Sequence, residues 1–212
     1  MATAVPAERD AVAQALSGST HTVIAAGVGP ALAAAATATA LTTAAVPYDL
    51  VVSAGIGGGF QPEAPVGSLV VADEITVADL GAETPAGFVP VTELGFGTVS
   101  HRPPNALVRD LANATGARTG AVLTVSTVTG TAERAAELRA RHPRALVEAM
   151  EGFGVAEAAA LHHLPVLEIR AVSNPVGPRD RAAWRIADAL AALTEGFGKL
   201  APVLEGWTPH DQ

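Results

Sequence analysis

The chain contains no cysteine and few aromatic or basic residues. Without cysteine, its 212 residues form neither disulfides nor thiolate metal sites. Aromatic side chains make up 4% of the sequence, so an aromatic platform for stacked bases is not expected. The formal net charge of −8, with no cluster of lysine or arginine, argues against a nucleic-acid partner and against an anionic membrane surface. Small molecules or other proteins remain as partners.

Segments that direct a chain into a membrane are also missing from the sequence. The N-terminus lacks the basic, apolar and small-residue pattern of a signal peptide. No apolar run reaches the length of about 18 residues that spans a bilayer. We therefore expect a cytoplasmic protein with no membrane partner.

The sequence is rich in apolar residues that alternate between strand-like and helix-like segments. Hydrophobic residues account for 49% of the chain, and its length suits one α/β domain, which we predict over residues 1–212. The predicted strands span 22–26, 50–53, 67–75, 121–125 and 165–172, and the predicted helices span 30–45, 105–114, 132–141, 152–162 and 181–204. This alternation favours a single three-layer α/β domain.

Two glycine clusters follow predicted strands. Residues 55–59 break the chain after the strand 50–53, and we interpret them as a ligand-binding segment, because glycines leave backbone N–H groups accessible. A plain tight turn is the alternative. Residues 27–29, Gly-Val-Gly, lack the full spacing of a dinucleotide fingerprint. We therefore predict no cofactor.

Polar residues next to two predicted elements indicate a small-molecule site. Glu151 lies where the helix 152–162 begins, in a Met-Glu-Gly-Phe-Gly run that makes a poor amphipathic surface. Ser173 and Asn174 follow the strand 165–172 as a turn, at the place where open α/β sheets hold their ligands. We expect these segments to form two parts of one site.

Other charged residues have simpler interpretations. From sequence physics alone, Glu8 is an ordinary first-turn carboxylate favoured by the helix dipole. The pair His162–His163 lies at a helix end, where cations are favoured, and no third ligand is spaced nearby, so we predict a structural role and no metal site. The loop pair His101–Arg102 is either solvated or binds an acidic part of a substrate.

Five segments in a fixed order carry a resemblance to a known family. They are Glu8, residues 53–58 (Ser-Ala-Gly-Ile-Gly-Gly), residues 66–74 (Val-Gly-Ser-Leu-Val-Val-Ala-Asp-Glu), Met150–Glu151 and residues 170–174 (Arg-Ala-Val-Ser-Asn). In this order they resemble the nucleoside phosphorylase and nucleosidase superfamily over nearly the whole chain. The sequence is similar to the methylthioadenosine/adenosylhomocysteine nucleosidase branch, and residues 173–180 resemble the futalosine hydrolases most closely.

The resemblance implies a fold and an activity. The fold is a three-layer single domain, with a central mixed and partly barrel-like sheet flanked by helices. The activity is hydrolysis of the N-glycosidic bond of futalosine, which releases hypoxanthine and dehypoxanthine futalosine in the menaquinone pathway. The partners are a nucleoside and water, and relatives of this fold lead us to expect a homodimer or a higher homo-oligomer.

The resemblance also implies roles for individual residues. Glu8 matches the general base that activates the attacking water, and Glu151 matches the carboxylate that grips the ribose hydroxyls. Asn174 matches a catalytic position beside the base. The remaining matched substrate-binding residues are Met150 under the ribose, Gly57, Gly58, Val128 and Thr129 around the base, and Trp184 near the 5′ substituent. Met150 and Trp184 also suit the core.

Two departures from the family pattern bear on substrate and fold. Adenine-specific nucleosidases carry Asp where this chain has Asn174. An amide offers a donor and an acceptor to N7 and O6 of a 6-oxopurine, whereas a carboxylate repels O6, so we predict hypoxanthine as the leaving group. Only residues 1–5 precede Pro6, so we expect the first strand to be short or absent, or the start to lie upstream.

Alternatives to the futalosine prediction remain open at the level of the sequence. A methylthioadenosine/adenosylhomocysteine-type nucleosidase or a phosphorylase of 6-oxopurine nucleosides is the runner-up. The acidic segment ending at Glu8 disfavours phosphate, although Arg9 follows it. A non-catalytic nucleoside-binding protein is the third interpretation. His101, Arg102 and Arg179 are the available cations for the benzoate group of futalosine.

Overall fold

The computed structural model describes residues 1–208, which fold as ten strands and six helices. The strands are β1 (Ala2–Thr3), β2 (Ile24–Ala25), β3 (Val51–Gly59), β4 (Leu69–Val77), β5 (Gly81–Thr84), β6 (Gly87–Pro90), β7 (Ser100–His101), β8 (Arg118–Thr124), β9 (Ala145–Ala149) and β10 (Val166–Pro175). The helices are α1 (Pro6–Ala15), α2 (Pro30–Thr43), α3 (Asn105–Thr115), α4 (Ala132–Arg141), α5 (Gly152–Leu161) and α6 (Ile186–Gly206).

The central sheet closes on itself through five strands. The hydrogen-bonded order is β10, β4, β8, β9 and β3, and β3 also pairs with β10, which completes the ring. The pairings of β3 with β10, of β4 with β8 and of β8 with β9 are parallel, whereas β10 with β4 and β3 with β9 are antiparallel. The short strands β1, β2 and β7 extend this ring at its edges. The predicted mixed, partly barrel-like sheet is confirmed.

Helices cover the closed sheet on two sides. Helices α1, α3 and α6 pack on one apolar cluster, which includes Leu111 and Phe197, and α2 and α5 pack against each other on the other cluster, which includes Val147 and Phe153. Proline at the first position of α1 and of α2 suits the fixed backbone angle that a helix start requires. The three-layer prediction is therefore correct.

Two segments that were expected to follow strands are parts of those strands instead. Residues 55–59 continue β3, and Ser173 and Asn174 belong to the end of β10, with a register shift between Val172 and Asn174. The glycines serve close packing within the ring. A Cβ at residue 59 would lie 2.1 Å from the carbonyl oxygen of Ala64, so only glycine permits this approach.

The predicted helix 181–204 begins later than expected. Residues 181–183 form a 3₁₀ turn capped by Asp180, whose side chain accepts the N–H of Ala182, and α6 starts at Ile186. The N–H of Arg185 donates to the carbonyl of Ser173 at 2.8 Å, so this segment is tied to β10 and cannot continue a helix. Strand β9 and the β5–β6 hairpin were not predicted from the sequence.

The remaining predicted elements differ from the structure by a few residues at their ends, and β1 is short, as expected. None of the helices described in residues 1–208 is long and apolar enough to cross a bilayer. The last four residues of the predicted domain 1–212 lie outside the described part of the chain.

Candidate active site

Glu8 is a buried carboxylate held by three backbone N–H groups. It lies in the first turn of α1, and its Oε2 accepts the N–H groups of Ala4 at 2.9 Å and Val5 at 3.2 Å. Its Oε1 accepts the N–H of Ile56 in β3 at 2.8 Å. The three bonds fix the carboxylate at the edge between α1 and β3. The interpretation from sequence physics alone, an ordinary first-turn carboxylate, gives Glu8 its correct turn but does not account for its burial or for the bond from Ile56.

Arg170 is the fully buried cation beside this carboxylate. Its Nη1 donates to Oε2 of Glu151 at 3.3 Å, its Nη2 to Oγ of Ser53 at 3.0 Å, and its Nε to Oε1 of Glu168 at 2.9 Å. Burial alone would lower the pKa of the guanidinium, but the surrounding carboxylates of Glu168, Glu151 and Glu8 raise it above its ordinary value. Arg170 is therefore a permanent positive charge inside the ring.

Gly55 keeps Glu8 and Arg170 face to face. A Cβ at residue 55 would lie 2.6 Å from Oε1 of Glu8 and 2.7 Å from Nη1 of Arg170. Any side chain at this position would push one of the two charged groups out of place. The absence of a side chain at residue 55 is therefore a requirement of the site and not of a turn.

Glu151 connects three separate parts of the chain at the start of α5. Its Oε1 accepts the N–H of Gly29 at 3.3 Å, from the turn between β2 and α2. Its Oε2 accepts the N–H of Met150 and the Nη1 of Arg170, each at 3.3 Å. Glu151, a predicted site residue, therefore lies in a cluster of polar groups, and its binding of the ribose stays a prediction. The turn 27–29 also joins the site, through a single backbone N–H.

Asn174 lies at the ends of two parallel strands, beside the predicted glycine segment. The hydroxyl of Ser173 donates to Oδ1 of Asn174 at 2.8 Å and lies 3.2 Å from the carbonyl oxygen of Gly57. The Nδ2 of Asn174 donates to the carbonyl of Pro175 at 3.0 Å. A Cβ at Gly58 would lie 3.3 Å from that Nδ2, so the glycine leaves the amide open. Gly57, Gly58 and Asn174 are thus brought together.

The loop after β8 is anchored by a buried glutamate. Glu148, in β9, accepts both the backbone N–H and the hydroxyl of Thr129, the first at 2.8 Å. Burial raises the pKa of Glu148 above its ordinary value, and the two bonds from Thr129 oppose that rise. Val128, which precedes Thr129 in the loop, is 37% exposed and presents an apolar surface to solvent. Because Glu148 pairs in register with Gly58, this loop lies next to the Asn174 region.

Trp184 is half-buried and carries two arginines on its ring. The guanidinium carbon of Arg179 lies 5.1 Å from the ring centroid and that of Arg181 lies 5.9 Å away. The N–H of Arg179 donates to the carbonyl of Gly130, so the stack is connected to the loop that contains Thr129. The segment around Trp184 therefore borders the site and does not belong to the core.

The other two candidate cations are already paired. The Nε2 of His101 lies 2.6 Å from Oε1 of Glu157, and its ring packs on Phe153. Arg102 is 67% exposed and contacts Glu74 at 3.5 Å. Within residues 1–208, no group of three or more histidine, aspartate or glutamate side chains is placed to hold a metal ion.

Four residues of this arrangement were missed as site residues in the sequence analysis. They are Ser53, Glu148, Glu168 and Arg170, and all four are buried. The signal was present, because a charged side chain inside an apolar strand needs a partner. The alternation of Glu168 and Arg170 along one strand predicts that they share a face.

Comparison with known proteins defines the class to which this fold and site belong. Residues 3–205 match the family model described as the phosphorylase superfamily. A methylthioadenosine/S-adenosylhomocysteine nucleosidase from Colwellia psychrerythraea, solved in complex with adenine, has the same fold, with a TM-score of 0.77 at 23% identity, over 97% of this chain and 93% of that one. The fold is therefore the nucleoside phosphorylase fold.

Two relatives narrow the family. A futalosine hydrolase from Streptomyces coelicolor is 69% identical over 100% of this chain and 98% of its own length. A futalosine hydrolase from Acidothermus cellulolyticus is 44% identical, over 93% of this chain and 88% of its own length. The chain belongs to the futalosine hydrolase family of the phosphorylase superfamily.

Proposed function

We propose that this chain is a nucleosidase that hydrolyses the N-glycosidic bond of futalosine and releases hypoxanthine. The observation that carries the assignment is the 69% identity to a futalosine hydrolase over the whole chain. The buried Glu8 supplies a general base, and Glu151, paired with Arg170, supplies a carboxylate for the sugar. Asn174 supplies an amide for the purine, and these groups lie on neighbouring strands and helices. Each of these roles is a proposal for this chain.

Glu8 acts as the general base on water. An ionised carboxylate has about four acceptor positions, and three backbone N–H groups occupy positions on Glu8, so one remains for a water molecule. The same bonds hold the carboxylate in one orientation, which avoids reorganisation during the reaction. As the bond to the base breaks, the sugar gains positive charge, and the buried negative charge of Glu8 stabilises it.

Glu151 binds the ribose hydroxyls. Its Oε2 accepts two hydrogen bonds from the protein and its Oε1 accepts one, so Oε1 keeps an acceptor position for a hydroxyl. The sugar is then held between the start of α5 and the Glu8 region. Met150, which precedes Glu151 in the sequence, lies at the same end of α5. This positions the anomeric carbon for attack.

Asn174 selects the leaving base. Its Oδ1 is an acceptor for a protonated N7, and its Nδ2 is a donor for O6 of hypoxanthine. In the structure both groups bind within the protein, to Ser173 and Pro175, so the amide is already oriented. Gly57, Gly58, Val128 and Thr129 surround the same space from β3 and from the loop after β8.

A chromatographic assay with and without phosphate tests this function. We expect free hypoxanthine from futalosine at a rate that phosphate does not change, with a sugar product that carries a free hemiacetal. A ribose 1-phosphate derivative in the mass spectrum would instead assign the protein to the phosphorylases. Binding of futalosine without any release of base would indicate a nucleoside-binding protein.

The Glu8→Gln variant should bind futalosine but turn it over slowly. The amide keeps the shape of the carboxylate but cannot take a proton from water, so kcat should fall by about 10² to 10⁴. Steady-state kinetics and calorimetric binding measure the two effects separately. Glu133→Gln is the matched control, because Glu133 is an exposed first-turn carboxylate of α4. Turnover of Glu8→Gln within tenfold of the wild type would exclude Glu8 as the base.

The Asn174→Asp variant should shift specificity from 6-oxopurines towards 6-aminopurines. The carboxylate repels O6 but accepts from an exocyclic amine, and an unpaired polar group in a buried site costs about 1–3 kcal/mol. We expect the ratio of kcat/KM for futalosine over its 6-amino analogue to fall by about 10- to 100-fold. Asn113→Asp, on the exposed surface of α3, is the control. An unchanged ratio would show that base selection lies elsewhere.

We further propose that Arg179 binds the benzoate of futalosine. Within residues 1–208, neither Arg179 nor Arg181 has a carboxylate in ion-pair distance, whereas Arg102 contacts Glu74 and His101 contacts Glu157. The stack on Trp184 restrains Arg179, and its bond to Gly130 holds it at the border of the site. A guanidinium in this position suits an aromatic carboxylate.

The Arg179→Met variant should lose affinity only for substrates with a carboxylate. Methionine keeps an unbranched apolar side chain on Trp184, so the effect reports the charge. We expect KM for futalosine to rise about tenfold, since a bond between charged groups contributes about 1.5–3 kcal/mol and exposure reduces it. The carboxamide derivative of futalosine should be cleaved equally by both proteins, and Arg102→Met should match the wild type. Equal losses with both substrates would contradict the proposal.

We also propose a homodimer, cytoplasmic localisation and a role in menaquinone synthesis. Helix α2 is rich in alanine on all sides, and large apolar side chains near it are exposed, among them Leu32 at 57% and Leu161 at 77%. Such a surface supports pairing with a second copy. The mass of a single chain in sedimentation equilibrium at micromolar concentration would contradict the dimer. The other two proposals rest on the identity to futalosine hydrolases.

A further inference from the structure

A second carboxylate, that of Glu168, binds Arg170 at its Nε. Glu168 and Arg170 are two residues apart on β10, so their side chains share one face of the strand. Both are buried, Glu168 completely, and Oε1 of Glu168 accepts the Nε–H of Arg170 at 2.9 Å. Within the described residues, the Oε2 of Glu168 has no hydrogen-bond partner. Nothing in the mechanism above uses this carboxylate.

The bond to Glu168 determines the direction of the guanidinium. Because the guanidinium is planar and its donors form a fixed fork, holding Nε sets where the two terminal nitrogens point. In this structure Nη1 then faces Glu151 and the carbonyl of Ile56, and Nη2 faces Ser53. The arginine therefore makes one bond to Glu151 and not a two-bond fork.

The start of α5 encloses the carboxylate. A Cβ at Gly152 would lie 2.1 Å from Oε2 and 2.2 Å from Oε1 of Glu168, so a side chain at residue 152 would displace this carboxylate. Burial raises the pKa of Glu168, and the neighbouring Glu151 raises it further, while Arg170 opposes both effects. Glu168 thus occupies a costly environment that close packing maintains.

We infer that Glu168 is a positioning residue, which acts through Arg170 to keep Oε1 of Glu151 available for the ribose. Without an acceptor at Nε, the guanidinium is free to rotate and to bind both oxygens of Glu151, as arginine and carboxylate do when unrestrained. The sugar hydroxyls would then compete with Arg170. This inference rests on the proposed function, because it assigns Glu151 to the ribose.

Two substitutions separate the length of the side chain from its charge. Glu168→Gln keeps the carbonyl oxygen that accepts from Nε but removes the charge. Glu168→Asp keeps the charge but is one methylene too short to reach Nε. We expect kcat/KM of the aspartate variant to fall about 10- to 100-fold, the range of a lost hydrogen bond to a charged group. The glutamine variant should stay within about fivefold of the wild type.

A double-mutant cycle shows whether the effect passes through Arg170. In an Arg170→Met background, the further change Glu168→Asp should alter kcat/KM by less than about threefold, because the group that Glu168 positions is gone. Ile169→Val changes a core residue on the other face of the same strand, so it is the control for a general loss of packing around β10. Thermal unfolding of each variant tests whether that variant is folded.

Three results would overturn the inference: an aspartate variant within threefold of the wild type, a glutamine variant as impaired as the aspartate variant, or an aspartate effect that persists without Arg170. A wild-type protein that releases no base would contradict the proposed function instead. In that case the dissociation constant of futalosine, measured by calorimetry on the same variants, tests Glu168 with the same expected order.

Discussion

The buried guanidinium of Arg170 is the constraint on which the rest of the site depends. It compensates carboxylates from three different elements, and each of them would be unstable in the interior without a positive partner. Its position on β10 is possible because β3, the neighbouring strand, offers Ser53 and has no side chain at Gly55. A buried charge of this kind contributes little net stability, but it permits only one arrangement of its partners.

Closure of the ring brings the partners of Arg170 together. The parallel pairing of β3 with β10 aligns Gly55 with Arg170 and Gly58 with Asn174. The proposed sugar end and base end of the site are therefore successive positions of one strand pair. Helix α1 contributes Glu8 from its first turn, and Glu151 is the residue that caps the start of α5, so the outer layer completes a site that the sheet begins.

The layers of the fold could be predicted from the sequence, but the contacts within the site could not. Apolar periodicity located β10, α3 and α5 within a few residues, because each is long and its pattern is clear. Residues 55–59 were expected to break the strand before them, since glycine is rare in strands, and only the packing partners across the ring explain their place in β3. Glu8 had no distinguishing local feature, and its partner Ile56 is 48 residues away. Long-range partners of this kind are not visible in local patterns.

The hydrogen bond between Gly29 and Glu151 joins residues 122 positions apart, and the bonds of Arg170 to Ser53 and Ile56 span 117 and 114 positions. Contacts of such separation require long loops to close, which costs conformational entropy. A nascent chain that has not yet produced β10 lacks both the closing strand and the arginine. Hydrolytic activity therefore reports completed folding of the whole chain, and no fragment that ends before β10 has a partially active site.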